Sequence, residues 1–169
     1  IQINNGIFTE NIVINKRLTI KGLYGGNVLI QPLNSSNPII TINSNGSGST
    51  LQLLTLQGST NSNGIYINNA NNCSIITNIF MNNNNGIYVT YSNNTTLTNN
   101  IATNNNDNGV YIEYSNNNTI SGNDIHSNGE SGLYPYYCEN NNIINNDITD
   151  NGRADIFLYF SNNNIVQNN

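Results

Sequence analysis

From about residue 63 to the C-terminus the chain repeats itself every 22 or 23 residues, and a unit that short has too little apolar surface to fold alone. Successive units open at Gly64-Ile65-Tyr66-Ile67, Gly86-Ile87-Tyr88-Val89, Gly109-Val110-Tyr111-Ile112, Gly132-Leu133-Tyr134-Pro135 and Asp155-Ile156-Phe157-Leu158. Six residues after each opening comes a column of Ala70, Ser92, Ser115, Cys138 and Ser161. Eleven after it comes an aliphatic column of Ile75, Leu97, Ile120, Ile143 and Val166. Each unit must bury its apolar side against its neighbours, which makes the chain a solenoid.

The pattern inside one unit identifies the kind of solenoid. Apolar residues alternate (Ile65/Ile67, Ile87/Val89, Val110/Ile112) in stretches of strand length, with runs of Asn, Ser, Gly and Asp between them that form corners. A leucine-rich repeat would need its leucine spacing and a helix-forming stretch, and the intervening residues show no helical periodicity. The earlier part reads the same way with less regular spacing: Ile12-Val13-Ile14, Leu18-Thr19-Ile20, Val28-Leu29-Ile30, Ile40-Thr41-Ile42 and Leu51-Gln52-Leu53. The expectation is an all-β, right-handed, single-stranded parallel β-helix of about seven turns, with residues 1–169 forming one domain. At about 4.8 Å per turn this is a rod roughly 35 Å long.

Of the 169 residues, 44 are Asn and 25 are Ile, while 8% are charged. Low charge with many amides is the composition of disorder, but regularly placed Ile, Leu and Val supply a core worth roughly 1.5–3 kcal/mol per buried side chain. Asn recurring at one place on successive turns can form amide ladders. Asn72/Asn94/Asn117/Asn140 and Asn78/Asn100/Asn123/Asn146 are the candidate columns, against the alternative of compositional drift toward Asn.

The opening stretch Gly6-Ile7-Phe8-Thr9-Glu10-Asn11-Ile12-Val13-Ile14-Asn15-Lys16-Arg17-Leu18-Thr19-Ile20-Lys21-Gly22, followed by the Gly-Ile-Tyr and Asn-Asn-x-Ile repeats, resembles the right-handed parallel β-helix repeat proteins. More narrowly it is similar to the NosD-like, carbohydrate-binding and sugar-hydrolase type, and its Asn/Ile-rich character resembles adhesin-like surface proteins of methanogenic archaea. The resemblance implies an extracellular or cell-surface setting and contact with polysaccharide or cell-surface glycan. It leaves catalysis open.

A parallel coil exposes unpaired backbone at its first and last turns. No capping element is visible at Ile1-Gln2-Ile3 or Asn168-Asn169, so the expectation is a piece of a longer chain, or a unit that stacks on copies or neighbouring domains. Cys73 and Cys138 lie about three turns, or roughly 14 Å, apart along the axis, beyond the reach of a disulfide. Sequons at Asn34, Asn45, Asn72, Asn93, Asn94 and Asn117 are what chance produces in so Asn-rich a chain. A net charge of −5 with only Lys16, Arg17, Lys21 and Arg153 as basic residues argues against nucleic acid, and no stretch is long and apolar enough for membrane insertion.

Two constellations carry candidate function. If Ile65 and Ile67 point in, Tyr66 points out, and Tyr88, Tyr111, Tyr134 and Phe157 follow it in one file; Tyr91, Tyr114, Tyr137 and Phe160 form a second near a corner. These tyrosines stiffen the sheet by stacking, contact glycan, or do both. Asp124, His126 and Asp147 share an outward surface, with Asp150 at the next corner. They suit acid–base work on a glycosidic bond or a calcium ion held through oxygen. The plainer alternative makes them corner residues beside a Glu130–Arg153 ion pair. Lyase chemistry is disfavoured because three of the four basic residues lie in the first turns, and a file of Thr for ice binding is broken at Ile144. The reading is a surface module for adhesion, glycan binding or a structural stalk, without a cofactor; a polysaccharide-degrading enzyme is the alternative.

Overall fold

The computed structural model describes residues 1–25 and 27–169. The chain coils into three parallel sheets, each formed by one strand per turn. The first face stacks Gln2–Ile3, Thr19–Gly22, Thr50–Gln52, Ser74–Ile76, Thr96–Thr98, Thr119–Ser121, Asn142–Ile144 and Ile165–Gln167. The second stacks Gly6–Thr9, Val28–Gln31, Thr55–Gln57, Ile79–Met81, Ile101–Thr103, Asp124–His126 and Asp147–Thr149. The third stacks Ile12–Ile14, Ile40–Ile42, Ile65–Asn68, Ile87–Thr90, Val110–Glu113, Ser131–Tyr136 and Ala154–Ile156. This is the expected β-helix of about seven turns. Among the described residues there is no α-helix, only a 3₁₀ turn at Ser44–Gly46.

Alternation sends one aliphatic residue inward from most strands of the first two faces and two from most strands of the third, and like residues stack in register: Ile65 on Ile87 on Val110, and Ile75 on Leu97 on Ile120. All six are essentially buried. Phe80 is the largest enclosed side chain, and its register partner in the next turn is Ala102, so a large residue sits against a small one. Gly64, Gly86, Gly109 and Gly132 open their strands because a Cβ there would lie 2.6–2.8 Å from a carbonyl oxygen of the following turn. Leu53 departs from the expected Leu51-Gln52-Leu53 pattern. It adopts a left-handed corner conformation (φ 57°), and Leu54 enters the core instead.

The column Asn78, Asn100, Asn123, Asn146, Asn169 is a ladder. From Asn100 onward each side-chain oxygen accepts from the backbone N–H and the Nδ2 of the preceding Asn, at 2.7–3.2 Å, and the Asn78 oxygen accepts from the Leu54 N–H. Each Nδ2 also donates to a carbonyl of an earlier turn, as Asn100 does to Ile75 at 2.8 Å. The column Asn72, Asn94, Asn117, Asn140 is not a ladder. These residues are exposed at left-handed corners (φ 56–59°), where Asn is tolerated for its backbone and its amide stays free of the neighbouring turns. A second ladder runs through Asn83, Asn105, Asn128 and Asn151 and ends on the Asp155 carboxylate. A third runs through Asn118, Asn141 and Asn164.

The small column is polar in effect as well as compact. The hydroxyls of Ser92, Ser115 and Ser161 accept from the backbone N–H of Ala70, Ser92 and Cys138 in the preceding turns. Cys73 and Cys138 are free and buried, as their positions required. Burial pushes the Cys138 thiol up to about 11, the low-reactivity state of a packing cysteine.

Candidate functional site

All aromatic residues except Phe8, Tyr24 and Phe80 gather on the third face and the corner that follows it. Three adjacent rows make this ridge. In the first, Tyr66, Tyr88, Tyr111, Tyr134 and Phe157 succeed one another with ring centroids 5.1, 4.8, 5.2 and 5.1 Å apart. In the corner row, Tyr91, Tyr114, Tyr137 and Phe160 stack at 5.2, 5.4 and 4.8 Å with planes 9–14° apart. Between them runs a seam of Asn68, Thr90, Glu113, Tyr136 and Tyr159.

The two expected files are therefore present, and the structural stacking reading is correct. Offset stacking covers much of each ring face with the next ring, so the ridge presents tilted ring edges and phenol hydroxyls outward rather than a row of flat faces. Tyr136 ties the files together edge-on, at 5.9 Å from Tyr114, 6.1 Å from Tyr134 and 4.6 Å from Tyr137.

The corner row has an unusual backbone. Tyr91, Tyr114, Tyr137 and Phe160 all have φ of 44–50°, the left-handed region that bulky residues avoid. The same corner one turn earlier holds Asn69 (φ 54°), and Asn fills most other left-handed corners. Each aromatic replacement strains the backbone by an amount on the order of 1 kcal/mol, which ring stacking of similar size offsets. All four of these rings are exposed, with Tyr91 at 55%.

Glu113 occupies the middle of the seam, and nothing in the repeat singled it out. Its register partners are Thr90 and Tyr136, so a carboxylate stands where neighbouring turns carry a hydroxyl or a ring. The Tyr88 hydroxyl donates a short hydrogen bond to Glu113 Oε2, and Thr90 Oγ1 lies 3.4 Å from the same oxygen. Burial, and after it the bond to Glu113 and its charge, holds the Tyr88 phenol well above the ordinary range; burial followed by the Glu113 charge does the same to Tyr111 and, less strongly, to Tyr66. The signal available in sequence was one acidic residue in an otherwise Asn/Thr/Tyr column, visible only once the outward rows are aligned.

The acidic constellation lies on the second face. Asp124 and Asp147 are register partners, as are His126 and Thr149. His126 Nε2 is 3.8 Å from Asp124 Oδ1, and Nδ1 is 3.2 Å from both Thr103 Oγ1 and Ser127 Oγ. Asp150 sits at the left-handed corner beyond. The structure thus brings Asp124, His126 and Asp147 onto one open surface without enclosing them. The expected Glu130–Arg153 ion pair does not form among the described residues. Arg153 instead places its guanidinium 4.0 Å from the Phe157 ring centre, because its backbone pairing with Glu130 leaves the side chain free to lie across the end of the ridge. A groove of about 560 Å³, lined by Ile7, Leu29, Thr55 and Gln57 among others, marks the second face of the first turns and carries no charged side chain.

Three parallel sheets, amide ladders and one outward ridge define a parallel β-helix repeat protein. The family model for the periplasmic copper-binding protein NosD matches residues 2–169, and the chain belongs to that family. No curated protein matches the chain. Among solved structures it is similar to the catalytic domain of a GH87 alpha-1,3-glucanase in complex with nigerose (TM-score 0.82, 18% identity, 99% of this chain and 34% of that one). It is also similar to the Agl-KA catalytic domain (0.67, 18%, 98% and 37%) and to pectate lyase Pel9A (0.66, 14%, 88% and 46%). The chain spans about a third of the length of the glucanase domain, and the likeness is one of fold.

The residues do not fit copper. Among the described residues no three His, Cys, Asp or Glu side chains converge. His126 is the chain's only histidine, both thiols are buried in different turns, and Met81 lies two register steps from His126 on the second face. Soft-metal coordination needs several such donors on one ion.

Proposed function

We propose that this β-helix is a polysaccharide-binding module of an exported protein, acting at the cell exterior as an adhesion or stalk element, with the aromatic ridge as its contact surface. The observation that carries this reading is the corner row: four successive turns place an aromatic residue in a backbone conformation that Asn would satisfy at lower energy. Stability alone does not ask for that exchange. The product is a line of four rings, three of them bearing hydroxyls, repeating at about 5 Å, on the scale of one sugar per turn along an extended polymer. Structural neighbours that act on polysaccharides support the setting, as does the NosD family's periplasmic description. No helix of the described residues is long and apolar enough to cross a membrane. End-to-end stacking of copies or domains fits the same stalk role.

Affinity electrophoresis through gels containing neutral, amino and acidic polysaccharides tests the proposal. The wild-type chain is retarded in at least one gel, and Tyr91→Ala with Tyr114→Ala abolishes retardation while the circular dichroism spectrum is kept. Undiminished retardation of the double variant removes the ridge from the function. A hydrolytic second reading has one observation behind it. Asp124 and Asp147 are register partners on adjacent strands, which puts two exposed carboxylates side by side, the residue pair that glycoside hydrolysis uses. It requires chain shortening of a polysaccharide that Asp124→Asn with Asp147→Asn eliminates.

A further inference from the structure

Glu113 is a half-buried carboxylate with no cationic partner. Both protein donors that approach it, the Tyr88 hydroxyl and Thr90 Oγ1, are neutral and reach the same oxygen, Oε2. Among the described residues no donor reaches Oε1, and that oxygen is not among the enclosed polar atoms left without a partner, so it faces solvent. The only close acid–base side-chain contact among the described residues is His126 with Asp124, on another face. The one basic side chain on the ridge, Arg153, is two turns away and lies on Phe157. A carboxylate drawn partly out of water favours a positively charged hydrogen-bond donor over a neutral one, and such bonds are roughly twice as strong as neutral ones.

The surroundings reinforce the preference. Tyr66, Tyr88, Tyr111, Tyr114, Tyr134 and Tyr136 all feel the Glu113 charge, so its negative field spreads along the ridge rather than being neutralised locally. The chain as a whole is at −5. An acidic polymer laid along the rows would bring its carboxylates against Glu113 with no clustered base to receive them. A polymer with amines repeats a cation at the spacing of its sugars, and one of these reaches Oε1 while flanking sugars lie against the ring edges and hydroxyls of Tyr114 and Tyr137.

We propose that Glu113 makes the ridge selective for polysaccharides bearing free amines, such as glucosamine polymers, and excludes uronate polymers. The inference rests on the reading of the ridge as a glycan contact. The probes are glucosamine, N-acetylglucosamine and galacturonate oligomers of equal length, titrated calorimetrically at about pH 5.5, where amines are charged. The glucosamine oligomer is expected to bind about tenfold tighter than its N-acetylated counterpart, the size of one charge-assisted contact, and the galacturonate oligomer not to bind. Glu113→Gln, which keeps shape and the Tyr88 bond, is expected to bring the ratio close to one by lowering glucosamine affinity about tenfold. Glu130→Gln, outside the ridge, keeps the full ratio. Equal binding of the two amino-sugar oligomers by the wild type, a ratio that survives Glu113→Gln, or tight galacturonate binding overturns the proposal. If the chain is retarded in polysaccharide gels yet shows no amine preference, only the selectivity is lost. If no glycan binds at all, the reading of the ridge falls with it.

Discussion

The first 62 residues and the remainder build the same three-faced coil by different means. On the third face the register steps are 28 and 25 residues from Ile12 to Ile40 to Ile65, then 22, 23 and 23 to Ile87, Val110 and Leu133. Where turn length varies, each corner is fastened separately. Asn11 pins the loop of residues 34–38, donating to Pro38 O at 2.9 Å and accepting from Asn34 N at 2.8 Å, and Ser59 Oγ adds a bond to Asn37 O at 2.7 Å. Where turn length is constant, one side chain per turn lands on the same spot, and the amides and rings join into continuous columns. The first turns leave Ile7, Val13, Tyr24 and Leu33 exposed singly, whereas the later turns concentrate exposed aromatics into one ridge. A nearly constant period is therefore the condition for both ladder and ridge: the step from 22 to 23 residues is absorbed within a corner and the columns stay in register, whereas the steps of 28 and 25 residues need separately fastened loops.

The largest expected effect is on the regular region's core. Phe80→Ala should destabilise by about 3–5 kcal/mol, because Ala102 in the next turn is too small to fill the space, with the loss read from the urea midpoint. A smaller loss would mean the turns slide together to close the cavity. Next comes the ladder against the single staple. Asn100→Ala strands the Asn78 N–H and the Ile75 carbonyl in the interior and should cost about 2–4 kcal/mol, whereas Asn11→Ala, at a corner open to water, should cost about 1 kcal/mol. Equal costs would erase the distinction drawn between the two regions.

Tyr114→Asn places at the strained corner the residue type that Asn69 supplies in the same column two turns earlier. Stability should change by less than about 1 kcal/mol, since strain relief and lost stacking are of similar size, while retardation in polysaccharide gels is lost. A large stability loss with retained binding would make the ridge purely structural. The smallest effect is alkaline. The Tyr88 and Tyr111 phenols stay protonated in the fold above their ordinary 10.0, so the folded state holds protons that the unfolded chain releases. Stability is fully present below that value and falls as pH rises beyond it. Phenolate absorbance of these two rings should appear together with loss of the β-sheet signal, not before it.

Much of this was legible in the sequence. The period gave the coil, alternation gave the buried columns, and the two aromatic files and the column beginning at Asn78 are where counting places them. The column at Asn72 was misjudged because identical residues at identical spacing occupy two kinds of corner. Whether an Asn turns its amide into the coil or only lends its left-handed backbone depends on the dihedral angles around it. Arg153 was misplaced for a related reason: register put it beside Glu130, but a long side chain chooses among all neighbours within reach, and Phe157 was one of them.

The sequence by itself determined a stacked coil, its interior and the alignment of its tyrosines, because those follow from chain periodicity alone. Only the tertiary structure decided how the rings lie on one another and that four of them occupy strained corners. It alone left the Glu113 carboxylate in their midst with one oxygen unclaimed. Such facts depend on side-chain torsions and on contacts between residues of different columns, and no repeat period encodes either.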